Sequence, residues 1–526
     1  MSKHQEANID YRVFLPAAIV TFGLIALAAL FPDAGDRVSS TLYNWVIFRL
    51  DWMFQIGGLV TLIFLIWLAF GKYGQIKLGD IDDKPEFTKL SYISMIFTAG
   101  VGSGLIYWAL AEPIYYMAGP PFGLEPDSLG SAIWFVSYPM FHWGLTGWAI
   151  YCIPAIPVAY AFYVRKHKKL RLSTAAIGII GEKNANGPLG LVIDVLGVFG
   201  VFGGVGTGLG FASTLISTSL NAVFGLPDTI ALQLFVLLLY AVIFTVSIYL
   251  GLYKGLQRLA KFNVYAAFAF LIFVVVVGPT AFIFSFASES FYAMFQNYLA
   301  MSLWTDPINQ SGFPQYWTVF YWAWYFAYLL MMGLFLARIS KGRTIKETIT
   351  TVLIFGSLGC WTFIIPFGSY TVYAWWTGLV PVLDIYNTAG VTSAIVAVFS
   401  SLPFASFVLL FFTMVQLVFM STTVDTSAYS IACSTSKDLT EGADQEPSRI
   451  NRVIWAFALA GAGALTLLIG GDLQSIQSLT VVAGLPMALV ALLINISLMK
   501  CLKEDFGKAL DKEVITLETI NKKDSA

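Results

Sequence analysis

Apolar residues in this chain fall into long blocks, about 18 or more residues each, separated by short polar connections; that pattern predicts membrane-spanning helices. Twelve such blocks are read, at about 12–31, 51–71, 90–117, 131–164, 189–219, 228–250, 260–286, 315–338, 346–375, 391–434, 452–470 and 475–500. Several exceed the ~20 residues that cross a bilayer and are expected to tilt, break or protrude. A mixed, aromatic-rich stretch at 288–302 is too short to span and is expected to lie as a helix in the outer interface. The polar 1–11 segment and the mixed-charge 503–526 tail flank one transmembrane domain, and no small-residue cleavage site follows the first apolar run.

Two blocks carry breaks. The third holds Gly100-Val101-Gly102-Ser103-Gly104, and the tenth holds Pro403 and the polar run Ser421 to Ser427 around Asp425. Glycine weakens a helix, and in a membrane the freed backbone groups must meet a neighbour, an ion or a cavity. Paired interrupted helices in the two halves point to a transporter site near the midplane.

Aromatic residues are patterned inside the fourth and eighth blocks. Phe141 to Tyr151 crowds Trp143, Trp148 and Tyr151 around Gly144 and Gly147. In the eighth, Trp317, Tyr321, Trp324 and Tyr328 recur at helical spacing and share a face, which Met331 and Met332 extend. Interfacial belts are the commonest use of Trp and Tyr in spanning helices. Trp148, Trp324 and Tyr328 lie well inside their blocks, where a belt residue meets no headgroup. Rings around a glycine gap instead suggest a cage for a desolvated cation, each ring contributing on the order of 2 kcal/mol.

Composition agrees with a membrane protein: of 526 residues, 58% are hydrophobic and 12% charged, with a net charge of −1 that suggests no nucleic-acid partner. Basic residues concentrate in alternate connections, at 72–89, 165–183, 254–261, 338–346, 437–452 and the tail; the connections between hold only Arg37 and Arg49. The positive-inside rule then puts both termini in the cytoplasm. Cys152, Cys360, Cys433 and Cys501 are scattered and read as packing residues, not a disulfide or metal set. No cofactor is expected. Three histidines without metalloprotease-like spacing give little support to an enzyme, and no repeated filter motif supports a channel.

At Phe141-His142-Trp143-Gly144 with Trp148-Ala149-Ile150-Tyr151, at Phe320-Tyr321-Trp322-Ala323-Trp324 and at Phe335 to Thr344, the sequence resembles the betaine/choline/carnitine transporter family over roughly residues 12–502. The resemblance implies an all-α protein of twelve transmembrane helices with an inverted five-helix-repeat, LeuT-like core in helices 3–12. The repeats would span about 90–286 and 315–502, outside peripheral helices at about 12–71. It further implies a homotrimer in the bacterial inner membrane, carrying onium substrates by alternating access. Trp143, Trp148, Tyr151 and Trp324 match the family's aromatic box. Tyr325 stands where many relatives have another tryptophan. Tyr115, Tyr328 and Met332, and the strings Pro120 to Pro126 and Gly312 to Gln315, resemble the carnitine/γ-butyrobetaine exchanger branch. Gly102 and Ser103 belong to the broken third helix and are counted with the substrate-binding candidates.

Sodium wants oxygen ligands. Where sodium-coupled relatives place two threonines in the fifth helix, this chain has Val201 and Val205, while Thr422 and Thr423 remain in the tenth. Where the exchanger branch has an arginine before the seventh helix, this chain has Gln257, followed by Arg258. The expectation is sodium-independent exchange or proton-linked uptake, with sodium-coupled symport of betaine, choline or a sulfonium osmolyte as the alternative. Glu112 and Asp425, acids inside spans, are coupling or gating candidates with structural hydrogen bonding as the competing role. His142 reads as a packing or hydrogen-bonding residue, and Asp194 as a helix N-terminal charge.

Overall fold

The structure, a computed structural model, describes residues 5–100, 103–250, 257–437, 445–469 and 473–507. It is almost entirely helical; the one described sheet pairs Gln5–Ala7 with Gln445–Pro447 in parallel. Among the described residues, eight helices are long and apolar enough to cross a membrane, or up to eleven if each of three bent pairs is one span. Twelve spans were expected. The third block is described as Lys89–Gly100 and Ser103–Ala118 on either side of 101–102, and these helices are each shorter than a span. Ile19, Ile63, Phe70, Leu238, Val276 and Phe284 are exposed on the outside. Apolar surface so extensive fits lipid as the solvent.

Prolines set several boundaries. The first helix, Tyr11–Leu30, is capped by Asp10 and stops where Pro32 starts the next helix, Pro32–Arg49. Proline lacks an N–H and disfavours helical geometry in the residue before it; Phe31 accordingly has φ −134° and ψ 62°. The seventh block was expected to run through 286. Its helix, Gln257–Val277, ends at Gly278-Pro279, and the chain turns by 106° into Thr280–Gln296. The helix placed at 288–302 therefore begins eight residues earlier, and Tyr298–Leu303 follows as a separate turn. The tenth block, 391–434, divides at its proline into Val382–Ser400 and Ala405–Ser434, with Phe404 left-handed at φ 62°.

The fourth block is the most interrupted. Trp134–His142, Leu145–Cys152 and Ala155–Ala159 follow one another, closed by a π-helical turn at Tyr160–Val164. The eighth block divides at Tyr328 into Phe320–Ala327 and Leu329–Ile339, bent by 56°. These two segments, with Ser103–Ala118 and the long helices Pro188–Phe224, Ile345–Trp376 and Ala405–Ser434, enclose the aromatic residues.

Asp425 lies in Ala405–Ser434 with its Oδ1 2.9 Å from an Arg452 terminal nitrogen, both side chains almost wholly buried. The Arg452 guanidinium also sits 5.6 Å from the Tyr429 ring centroid. Breaking such a pair strands a buried charge, at a cost of about 3–5 kcal/mol. Asp425→Ala should therefore lower the melting temperature of the purified protein by several degrees, and Asp425→Ala with Arg452→Met should recover most of the loss. Equal destabilisation of single and double variants would point to a role for Asp425 outside this pair.

Candidate functional site

Five rings close a circuit. Centroid distances run 4.7 Å from Tyr151 to Tyr325, 5.9 Å from Tyr325 to Trp143, 6.1 Å from Trp143 to Trp324, 6.3 Å from Trp324 to Tyr328 and 6.2 Å from Tyr328 back to Tyr151. Four of the five contacts are edge-to-face, an arrangement aromatic pairs favour because ring edges are positive and faces negative. All five side chains are buried. Trp148 joins through Tyr151 at 5.7 Å, and its indole N–H donates to Cys360 Sγ at 3.4 Å. Small residues make room for the circuit. A methyl group on Gly104 would lie 3.5 Å from Trp324 and 3.9 Å from Trp143, so this bare backbone faces both indoles. One on Gly147 would lie 2.6 Å from the Tyr325 ring, closer than packing allows.

Helix breaks and rings satisfy one another. The break at Trp143-Gly144 frees carbonyls that have no helical partner. Trp361 donates its indole N–H to Met140 O at 2.7 Å, and Tyr325 donates its hydroxyl to His142 O at 3.0 Å. Trp324 donates to Gly204 O at 3.1 Å, a carbonyl inside the unbroken Pro188–Phe224 helix. Backbone groups in a membrane interior need such partners. The same contacts fix each ring's position.

Beneath Trp143 lies Glu112, fully buried. Its Oε1 accepts from Tyr321 Oη at 2.6 Å and Trp143 Nε1 at 2.8 Å; its Oε2 accepts from Tyr116 Oη at 2.6 Å and lies 3.1 Å from His142 Nδ1. His142 Nε2 lies 3.1 Å from Thr318 Oγ1, and the imidazole stacks on Tyr321 at 4.6 Å. This geometry fits a neutral imidazole that donates Nδ1–H to Glu112 and accepts from Thr318. Four donors converge on one carboxylate, which is an acceptor at both oxygens when ionised.

The other residues picked out by the sequence lie outside the circuit or its immediate network. Tyr115 is outside the circuit, in a neighbouring cluster with Trp317 at 5.0 Å, Tyr386 at 5.6 Å and Trp108 at 6.3 Å. Met332 is buried one turn past Tyr328, and Met331 accepts from Ser427 at 2.9 Å. Val201 and Val205 are fully buried, and Thr422 and Thr423 donate their hydroxyls to Phe419 O, at 2.7 Å and 3.1 Å. Asp194, expected as a charge at its helix N-terminus, lies in the second turn of Pro188–Phe224 and accepts from Ser173 Oγ at 2.7 Å and Ser173 N at 3.0 Å, at the start of the separate short helix Leu172–Ala175. Gly102 lies outside the described residues, as do the side chains of Ser103, Gln257 and Arg258. Among the described residues, no group of three or more His, Cys, Asp or Glu side chains is placed to hold a metal ion.

The sequence reading missed the stripe Gly104, Trp108, Glu112 and Tyr116, spaced four apart on Ser103–Ala118. That spacing puts them on one face, and the face turns out to be the one against the rings. Trp108 contacts Trp317, Tyr321 and Trp324 at 6.0, 5.7 and 6.2 Å.

The family described as betaine/carnitine/choline family transporter matches residues 12–507. This chain belongs to that family. A carnitine transporter of Acinetobacter baumannii is 32% identical over 507 residues, 96% of this chain and 91% of its own length. The uncharacterized transporter YeaV of Escherichia coli is 35% identical over 450 residues, 85% of this chain and 92% of its own. Among solved structures, a Na+-coupled sialic acid symporter in a substrate-bound outward-open state aligns over 86% of this chain and 84% of its own. Its TM-score of 0.39 and 13% identity make that a distant likeness, without weight for substrate or ion. The chain is thus a membrane transporter of the betaine/carnitine/choline family, a family whose members move small molecules through a bilayer.

Removing the carboxylate should matter more than removing any one donor. Glu112→Ala leaves donors on Trp143, Tyr116 and Tyr321 without their acceptor, at about 1–3 kcal/mol for each buried group left unpaired. Tyr325→Phe removes one cap, worth about 1 kcal/mol. Melting of the purified variants should rank Glu112→Ala well below Tyr325→Phe. A Glu112→Ala protein that melts with its parent would remove the carboxylate from the centre of this network.

Proposed function

We propose that this protein is a secondary transporter of small quaternary-ammonium compounds such as carnitine, γ-butyrobetaine or betaine. It works by alternating access and without sodium, through substrate exchange or proton-linked uptake. The observation that carries this reading is the closed circuit of Trp143, Tyr151, Trp324, Tyr325 and Tyr328. A regular pentagon with sides of that length has its centre about 5 Å from each corner, within the ~6 Å reach of a cation over a ring. A trimethylammonium group has no N–H, so faces of rings suit it better than acceptor oxygens. The similarity to a carnitine transporter supports the same substrate class.

Glu112 contributes from behind the ring. Its carboxylate accepts the Trp143 indole N–H, which polarises the indole toward a more negative face. A cation over Trp143 then meets both the ring and, one ring away, the charge.

Buried Val201 and Val205 offer no side-chain oxygen to a cation, which supports sodium independence. Basic residues in alternate connections support cytoplasmic termini. We take the inner membrane, the homotrimer and the twelve-helix inverted repeat from the family resemblance.

Uptake into proteoliposomes tests the coupling. With potassium in place of sodium on both sides, preloaded counterflow of a trimethylammonium substrate should continue at an undiminished rate; strict sodium dependence would favour the symport alternative. Trp324→Leu removes one wall and should weaken substrate binding roughly tenfold or more, read by tryptophan fluorescence. Near-parental affinity in a folded Trp324→Leu protein would move the site away from this circuit.

A further inference from the structure

Away from the rings, at the end that carries the N-terminal arm, lies a cavity of about 660 Å³. Small-molecule sites typically occupy about 300–1,000 Å³. Its walls come from three parts of the chain: the arm with Asp10 and Arg12, the basic connection with Lys169 and Arg171, and the start of Pro188–Phe224 with Gly187, Leu191 and Asp194. Lys437, after Ala405–Ser434, completes it. Among the described residues that line it, four are cationic and two carry carboxylates.

Neither carboxylate is spare. Asp194 is held by Ser173. Asp10 lies 2.8 Å from an Arg171 terminal nitrogen. Burial works against the Asp10 charge, yet the hydrogen bond and charge of Arg171 hold its carboxyl below the ordinary value. That pair is neutral together, which leaves Arg12, Lys169 and Lys437 as a positive excess over Asp194 among the described lining residues. Arg171 is 4% exposed, and its Nε has no hydrogen-bond partner among the described residues. A buried guanidinium donor left open needs a partner. The Pro188–Phe224 helix begins on the same wall, with Gly187, Leu191 and Asp194 on one face; a helix N-terminus attracts anions through its free N–H groups and dipole.

We propose that this cavity binds a phosphate-bearing anion, a phosphomonoester or phosphodiester. Its size exceeds what one inorganic ion fills, and guanidinium, ammonium and helix N-terminus together form the donor set suited to phosphate oxygens. The site spans segments that are far apart in sequence. Asn8 O accepts from Lys437 N at 2.8 Å, Asp10 N donates to Thr435 O at 2.9 Å, and Arg171 also reaches Ser436 O at 2.5 Å. An anion bound here ties the arm and the basic connection to the end of Ala405–Ser434, the helix that carries Thr422, Thr423 and Asp425.

Binding is measured on the full-length protein, independently of transport. Inorganic pyrophosphate is titrated calorimetrically against protein in uncharged detergent. Separately, native mass spectrometry follows retention of phosphatidylglycerol against phosphatidylcholine. Lys169→Ala with Lys437→Ala is compared with a control at two exposed lysines outside the cavity, Lys84→Ala with Lys89→Ala. The cavity variant should bind roughly tenfold or more weakly, and the control should match the parent. Arg12→Ala gives the same readout should the double variant not fold. Response to pyrophosphate alone assigns a soluble phosphoester, and response to phosphatidylglycerol alone a lipid headgroup; either upholds the site. Absence of binding of both ligands to the parent, or equal weakening in cavity and control variants, would overturn it.

Discussion

A carboxylate sealed inside a membrane protein must find donors for both oxygens or pay several kcal/mol in lost solvation. Glu112 finds four, and three of them belong to aromatic side chains. The requirement works in both directions. The acid is held by the rings, and the rings cannot turn without uncovering the acid. Trp143 belongs to the five-ring circuit and to this network together, so the position of one wall follows from the hydrogen-bonding needs of a charge behind it. His142 extends the network to Thr318, which couples the fourth and eighth blocks at the level of the circuit.

The broken helices obey the same constraint. A helix that stops in a bilayer leaves carbonyls open. Here Trp361 and Tyr325 close two such carbonyls, with an indole and a phenol donor. Aromatic residues with a polar handle serve two purposes: the handle satisfies the backbone, and the ring face is left for contact. That accounts for Trp324 and Tyr325, rather than Phe, at two corners of the circuit. It also gives Tyr325 a specific role where many relatives are read to have tryptophan, since its hydroxyl reaches His142 O and Gly147 leaves space for its ring.

The helical class and the ends of most long helices were legible in hydropathy, because lipid favours apolar surface along them. Pro403 marked a real break, and the Trp317 to Tyr328 spacing put those residues on one face. The turn at Gly278-Pro279 was read through, because the apolar run continues past it even though the helix does not. Pairings between distant segments were not legible: nothing local to Glu112 names Trp143 or Tyr321 as its donors, and nothing near Asp425 names Arg452. The Gly104, Trp108, Glu112 and Tyr116 stripe was readable from spacing alone, but its meaning depends on which helix lies opposite. Likewise the cavity around Arg171 joins an arm, a loop and a helix start that only the fold brings together.

Charge recognition by rings can be isolated from shape. A quaternary ammonium ligand and its uncharged isostere, with carbon in place of nitrogen, have nearly the same size and apolar surface. Competition binding of choline-type and carnitine-type ligands against these tert-butyl isosteres, on the purified protein, reads the difference directly. A ring cage gains on the order of 2 kcal/mol or more from the charge. The onium compound should therefore bind at least tenfold more tightly than its isostere, with the margin reduced in Trp143→Leu. Equal affinities would mean that the circuit is a hydrophobic core and that the cation is recognised elsewhere.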